Sequence, residues 1–194
     1  IELALVSALA DKNHDVRSHV LKRMLEKSVP VPLAALSNWL HSESSPKHVA
    51  TILDALQVRP AAEVRQLLAG IVTKSSRSEQ IRIRSLGLII KELGTKDEKL
   101  LIEIAQQLRD DVVLAATLEE FGRRAKLPAD EMLLARVGSS SSKVRAAAIR
   151  SLGKRKTTAG RKHVATLLED ADMGVRRAAA EAAGLLGATD VVDQ

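Results

Sequence analysis

The chain has 194 residues, of which 45% are apolar and 28% charged, enough apolar material for a packed core and too little sequence bias for disorder. No cysteine is present, which excludes disulfides and thiolate metal sites, and no apolar run approaches the ~20 residues that cross a bilayer. The formal net charge of +6 is uneven: residues 123–177 hold 14 Lys/Arg against 5 Asp/Glu, which invites an anionic partner or is simply solvated charge.

Helix formers dominate, and glycine and proline fall between periodic segments, so an all-α fold is predicted. In chain order, one set of helices is expected at roughly 2–10, 32–41, 60–73, 97–109, 128–137 and 158–169. Pro32, Pro60 and Pro128 sit near their starts, where proline is tolerated. A second, more regular set follows each of these. Its helices open on Asn13, Ser45, Ser78, Asp110, Ser141 and Asp172, all residue types that accept a hydrogen bond from a first helical turn. Their spacings are 32, 33, 32, 31 and 31 residues, too regular for chance.

Columns after each cap agree. Three residues on come Val16, His48, Ile81, Val113, Val144 and Val175. Eight on come Leu21, Leu53, Leu86, Leu118, Ile149 and Ala180, and eleven on come Met24, Leu56, Ile89, Phe121, Leu152 and Ala183. Offsets of three, four, seven, eight and eleven trace one face of an α-helix, so each repeat buries a single stripe. The expected architecture is an α-α superhelix of about six two-helix hairpins, 1–28, 29–59, 60–95, 96–127, 128–156 and 157–188, forming one array. Residues 189–194 read as the start of a further hairpin, as in a fragment of a larger protein. Positions six, nine and thirteen after the cap mark the opposite face, expected to line the concave side of the superhelix.

The stretches Asp15-Val16-Arg17, Lys143-Val144-Arg145 with Ala146 to Ala148 and Leu152-Gly153, and Asp172 to Gly187 resemble HEAT repeats. More narrowly they are similar to the short bacterial HEAT-like type first noticed in phycobilin lyases. Repeat 2 departs at His48 and Val49 and repeat 4 at Leu114, where the pattern has a small apolar residue or arginine. The resemblance implies that Arg17, Arg82, Arg145 and Arg176 form a structural ladder between hairpins, Arg17 with Asp15 and Arg176 with Asp172.

Catalytic chemistry is not legible. His14, His19, His41, His48 and His163 show no metal-ligand spacing and read as surface or spacer residues, so neither a metal nor a cofactor is expected. The loops at 138–143 and 153–157 lack the full phosphate-binding pattern and follow no strand. Asp110/Asp111 and Glu119/Glu120 are sequence neighbours that point to different sides of a helix. The expected function is a non-catalytic scaffold for another protein or another domain, bound through Arg123, Arg150 and Lys154. Two alternatives remain: binding of a nucleic-acid backbone through the basic C-terminal repeats, and a HEAT-like DNA glycosylase, whose resemblance implies groove aromatics that Trp39 and Phe121 do not supply. The compartment stays open, with the cytoplasm favoured.

Overall fold

The computed structural model describes residues 2–92 and 98–188. Its helices are α1 (Glu2–Ala8), α2 (His14–Glu26), α3 (Leu33–Ser42), α4 (Pro46–Gln57), α5 (Ala61–Thr73), α6 (Glu79–Glu92), α7 (Lys99–Gln107), α8 (Val112–Arg123), α9 (Asp130–Arg136), α10 (Ser142–Lys154), α11 (Arg161–Leu168) and α12 (Met173–Leu186). No strand occurs among the described residues, and a 3-10 turn at Thr158–Gly160 replaces the expected first turn of α11. The chain packs as two compact units, 1–92 and 93–194, with α1–α6 in the first and α7–α12 in the second. Each unit is a stack of helical hairpins of the α-solenoid type. Asp97 and residues 189–194, expected to open helices, lie outside the described residues.

Each even-numbered helix contributes its cap+11 residue to a core. Met24, Leu56, Ile89, Phe121, Leu152 and Ala183 are all buried, as are Leu21, Leu53, Leu86, Leu118 and Ile149 at cap+8. Burying a Leu or Phe side chain stabilises by about 1.5–3 kcal/mol, so this pair of columns supplies much of the driving force. Two expected core residues face outward. Val16 is 39% exposed, because α2 turns Ser18, Leu21 and Met24 inward. Ala180 is exposed, because α12 buries Val175, Ala178, Ala179, Ala182, Ala183 and Leu186. At 100° per residue, both lie about 130–140° from the centre of the buried face.

In the second unit the layer α8–α10–α12 is unusually close. A Cβ built on Gly122 would stand 3.0 Å from the Ser151 Cα, and one built on Gly153 would stand 2.9 Å from the Ala182 Cα. Glycine at cap+12 therefore lets the backbone of the next repeat approach. Ser151 uses that approach to donate its hydroxyl to the Leu118 carbonyl at 2.8 Å, so the buried oxygen is satisfied.

Helix ends repeat as well. Ser28, Lys156 and Gly187, each fifteen residues after its cap, adopt left-handed φ of 54°, 57° and 64°. The next amide closes back onto the helix in each case: Val29 to Met24 O (2.8 Å), Thr157 to Leu152 O (3.0 Å) and Ala188 to Ala183 O (2.9 Å). This is the Schellman end, which satisfies carbonyls the helix leaves over.

Candidate functional site

The cap positions are occupied unevenly. Asn13 accepts from the Asp15 and Val16 amides, and Asp172 from those of Gly174 and Val175. Ser78 receives the Ile81 amide at 3.5 Å, a weak bond. Ser45 and Ser141 occupy N-cap positions, but their side chains make no cap hydrogen bond. For α8 the expected cap is displaced by one residue: Asp111 accepts from Val113 and Leu114, while Asp110 accepts from Arg136 (3.0 Å) and the Ser139 hydroxyl (2.5 Å). Of two adjacent carboxylates, the nearer takes the amides and the other turns towards the next hairpin.

A column two residues before the cap carries no regular residue type in the sequence yet supports the cap itself. Asp11, Glu43, Ser139 and Asp170 each accept the amide of the cap residue itself, at 2.7, 2.8, 3.1 and 2.9 Å. The recurrent arginines then lock the same turns. Arg17 donates to the Asp11 carbonyl, Arg145 to Ser139 O at 2.8 Å and Arg176 to Asp170 O at 2.8 Å, each six residues back. Arg17 therefore does not pair with Asp15, nor Arg176 with Asp172, as the resemblance implied. Buried Arg82 reaches the Val72 carbonyl at 2.7 Å. Arg145 also crosses to the next hairpin, holding Asp170 with two bonds of 2.8 Å. That pair keeps the Asp170 carboxyl below the usual carboxylate range.

Other arginines tie helices together, both within a hairpin and between hairpins. The side chain of Arg155, at cap+14, is 5% exposed; it bonds the Asp130 carboxylate at 2.6 Å and the carbonyls of Phe121 (3.0 Å), Arg124 (2.6 Å) and Leu127 (2.6 Å). Arg59, at the same repeat position, donates to Val31 O, the counterpart of Leu127. Arg77 bonds the carbonyls of Leu40, His41 and Glu43 at the end of α3. Such ends carry unpaired carbonyls and partial negative charge, so a guanidinium is the fitting plug. Arg155 is thus part of the packing, not of an open basic surface.

The three residues expected to bind a partner lie on the solvent-exposed face of α8 and α10. Arg150 sits between Glu119 (2.6 Å) and Glu181 (2.8 Å), tying three successive repeats, and its side chain is only 25% exposed. Burial opposes its charge, but the two carboxylates outweigh that and raise its pKa. Lys154 approaches Glu119 at 3.4 Å, and Arg123, 64% exposed, pairs with Glu120 at 2.9 Å. Positions at cap+9 and cap+13 are open or half-open throughout. Positions at cap+6 divide: Thr51, Ala147 and Ala178 are buried among the helix contacts, Arg84 and Ala116 are half-buried, and His19 is exposed.

In the first unit the structure assembles a group that the spacing of histidines along the chain conceals. His14 Nδ1 lies 2.6 Å from Glu43 Oε2, and His48 Nδ1 lies 3.4 Å from the same oxygen. His48 Nε2 is 3.2 Å from Asp15 Oδ1, and the Trp39 indole donates to Glu43 Oε2 at 2.8 Å. Glu43 is 1% exposed, and the His48 Nδ1 is buried with no hydrogen-bond partner. Burial opposes the charge on Glu43, but the Ser45 amide, the Trp39 indole and the two imidazoles hold its carboxyl below the usual range. Arg17 covers the Trp39 ring from 5.8 Å. The residues come from adjacent repeats, at cap+1 and cap+2 of the first and at cap−2 and cap+3 of the second, so stacking alone unites them. Two imidazole nitrogens and a carboxylate form a donor set able to hold a metal ion.

No helix among the described residues is long and apolar enough to cross a membrane. No curated protein matches the chain. Residues 129–194 match the family described as HEAT repeats, the span that holds α9–α12 with their glycine contacts, arginine locks and Schellman ends. Residues 129–194 therefore carry HEAT repeats, hairpins that generally mediate protein–protein interaction and are typically non-catalytic.

Proposed function

We propose that the chain is an interaction scaffold that holds a polypeptide partner against the solvent-exposed face of α8–α10–α12. The observation that carries this reading is the charge pattern there. Glu119, Arg150 and Glu181 alternate across successive helices, with Arg123 and Lys154 beside them and Leu185 46% exposed. A polypeptide of mixed charge can exchange pairs with such a row, whereas the carboxylates repel a polyphosphate. Neutralisation of Arg136, Arg145, Arg150 and Arg155 by protein carboxylates likewise removes much of the field that a nucleic-acid backbone would need. Phe121 and Trp39 are both buried, which leaves a glycosylase without groove aromatics.

The test leaves Arg150 in place, because its reversal would break a joint between helices. A photo-crosslinking residue at position 123 or 154 should capture a protein in the native cell, and Arg123→Glu with Lys154→Glu should abolish that capture while the melting temperature stays within error. Capture through other faces only would remove this surface. Salt-sensitive duplex binding that vanishes in the double variant would replace the partner with nucleic acid.

A further inference from the structure

We propose that His14, Glu43 and His48 form a binding site for a first-row divalent transition ion, with Zn²⁺ the best fit, clipping the first two hairpins together. This goes beyond the scaffold reading and rests on a different unit of the chain.

The donor atoms already lie close to what an ion requires. A tetrahedral ion with bonds of about 2.1 Å sets its ligand atoms about 3.4 Å apart. The His48 Nδ1 to Glu43 Oε2 separation is 3.4 Å, and the His14 Nδ1 to Glu43 Oε2 separation of 2.6 Å has to open by about 0.8 Å. All three ligand atoms lie within 4.8 Å of one another. Rotation of the His14 side chain, 41% exposed, can supply that adjustment.

The surroundings are arranged as those of a metal site are. Asp15 accepts from His48 Nε2, which assigns the ring proton to that nitrogen and leaves a lone pair on Nδ1. That Nδ1 is the buried, unpartnered atom, and it faces Glu43. An ion gives it the partner it otherwise lacks. Glu43 is held from both sides, its Oε1 by the Ser45 amide at 2.8 Å and its Oε2 by Trp39 at 2.8 Å, so the carboxylate is oriented before any ion arrives. Imidazole donors select against Mg²⁺ and Ca²⁺, and the absence of thiolate leaves the nitrogen-and-oxygen set that suits Zn²⁺ and its neighbours. Three protein ligands leave a fourth position, on the exposed His14 side, for water or a donor from outside.

The test is calorimetric titration of the chelator-stripped 194-residue chain with ZnCl₂, and with CoCl₂ for its visible spectrum. One ion per chain, a raised melting temperature and a tetrahedral Co²⁺ spectrum are expected. His48→Gln can keep the Asp15 hydrogen bond through its amide but removes Nδ1, and His14→Ala removes an exposed ligand; each should abolish one-to-one binding while the chain stays folded by circular dichroism. Asp15→Asn, which alters only the outer partner, should weaken Zn²⁺ binding about 10–100-fold. No Zn²⁺ binding would overturn the proposal and leave a hydrogen-bonded cluster. Undiminished binding in both histidine variants would assign the ion to other residues and also overturn it.

Discussion

Replacing glycine by alanine at two equivalent positions should move stability in opposite directions. Gly153 and Gly184 both stand twelve residues after their caps, in α10 and α12. Nothing lies within 4 Å of a Cβ built on Gly184, so Gly184→Ala gains helix propensity alone, about 0.5 kcal/mol given its place in the last turn. A Cβ on Gly153 meets the Ala182 Cα at 2.9 Å and its Cβ at 3.0 Å. Backbone cannot swing aside as a flexible side chain does, so α10 and α12 have to separate. Overpacking of this kind costs about 1–3 kcal/mol, against the same propensity gain of about 0.5 kcal/mol, since Gly153 also stands in the last turn of its helix. Gly153→Ala should therefore destabilise by about 0.5–2.5 kcal/mol, and Gly153→Val clearly more. Urea titration of both variants, followed by circular dichroism with a common m-value, reads the difference. Equal stabilisation by both alanines would refute the close approach of these repeats.

Four further outcomes follow from the same geometry. Arg155→Met should destabilise the chain by about 3–5 kcal/mol, measured by chemical denaturation, because it strips three carbonyls and Asp130 of a buried cation at once. Lys156→Gly should stabilise by about 1 kcal/mol by relieving the left-handed φ of 57°, a gain visible as a raised melting temperature. Asp111→Ala should cost about 1 kcal/mol through loss of a cap, while Ser141→Ala, whose hydroxyl makes no cap bond, should stay within about 0.5 kcal/mol in the same melts. The Asp170 carboxyl is held below its unfolded value by Arg145, so the folded state binds fewer protons there and its contribution is present above that unfolded value. It fades as pH falls towards the depressed folded value, so Asp170→Asn should flatten the acid limb of a stability-against-pH curve and leave the slope above pH ~5 unchanged.

The stacking period and the buried cap+11 column are legible in the sequence because a helix face repeats its hydrophobicity wherever it meets the same neighbour. Arg155 is not legible in that way: position cap+14 holds Lys27, Arg59, Glu92, Arg124, Arg155 and Leu186 in turn, with no constant character, and a charge next to a loop reads as solvated until the loop folds over it. The choice of Asp111 over Asp110 turns on which of two adjacent carboxylates reaches the helix amides, and that depends on Arg136 and Ser139 in the following hairpin. His14, Glu43 and His48 stay hidden for a related reason. Ligand motifs are sought within one helix, whereas these three meet only because one repeat is laid beside the next. The signal was available in the column numbers: a histidine just after one cap and another just after its neighbour, with a glutamate two residues before.

The stacking of successive second helices is tested most directly by nuclear Overhauser contacts across α8, α10 and α12. Cross-peaks are expected between the α-protons of Gly122 and the protons of Ser151, and between those of Gly153 and the Ala182 methyl, since the built contacts are 3.0 and 3.0 Å. Their absence, with intrahelical cross-peaks intact, would contradict the layer on which the arginine clamps and the proposed partner surface both depend.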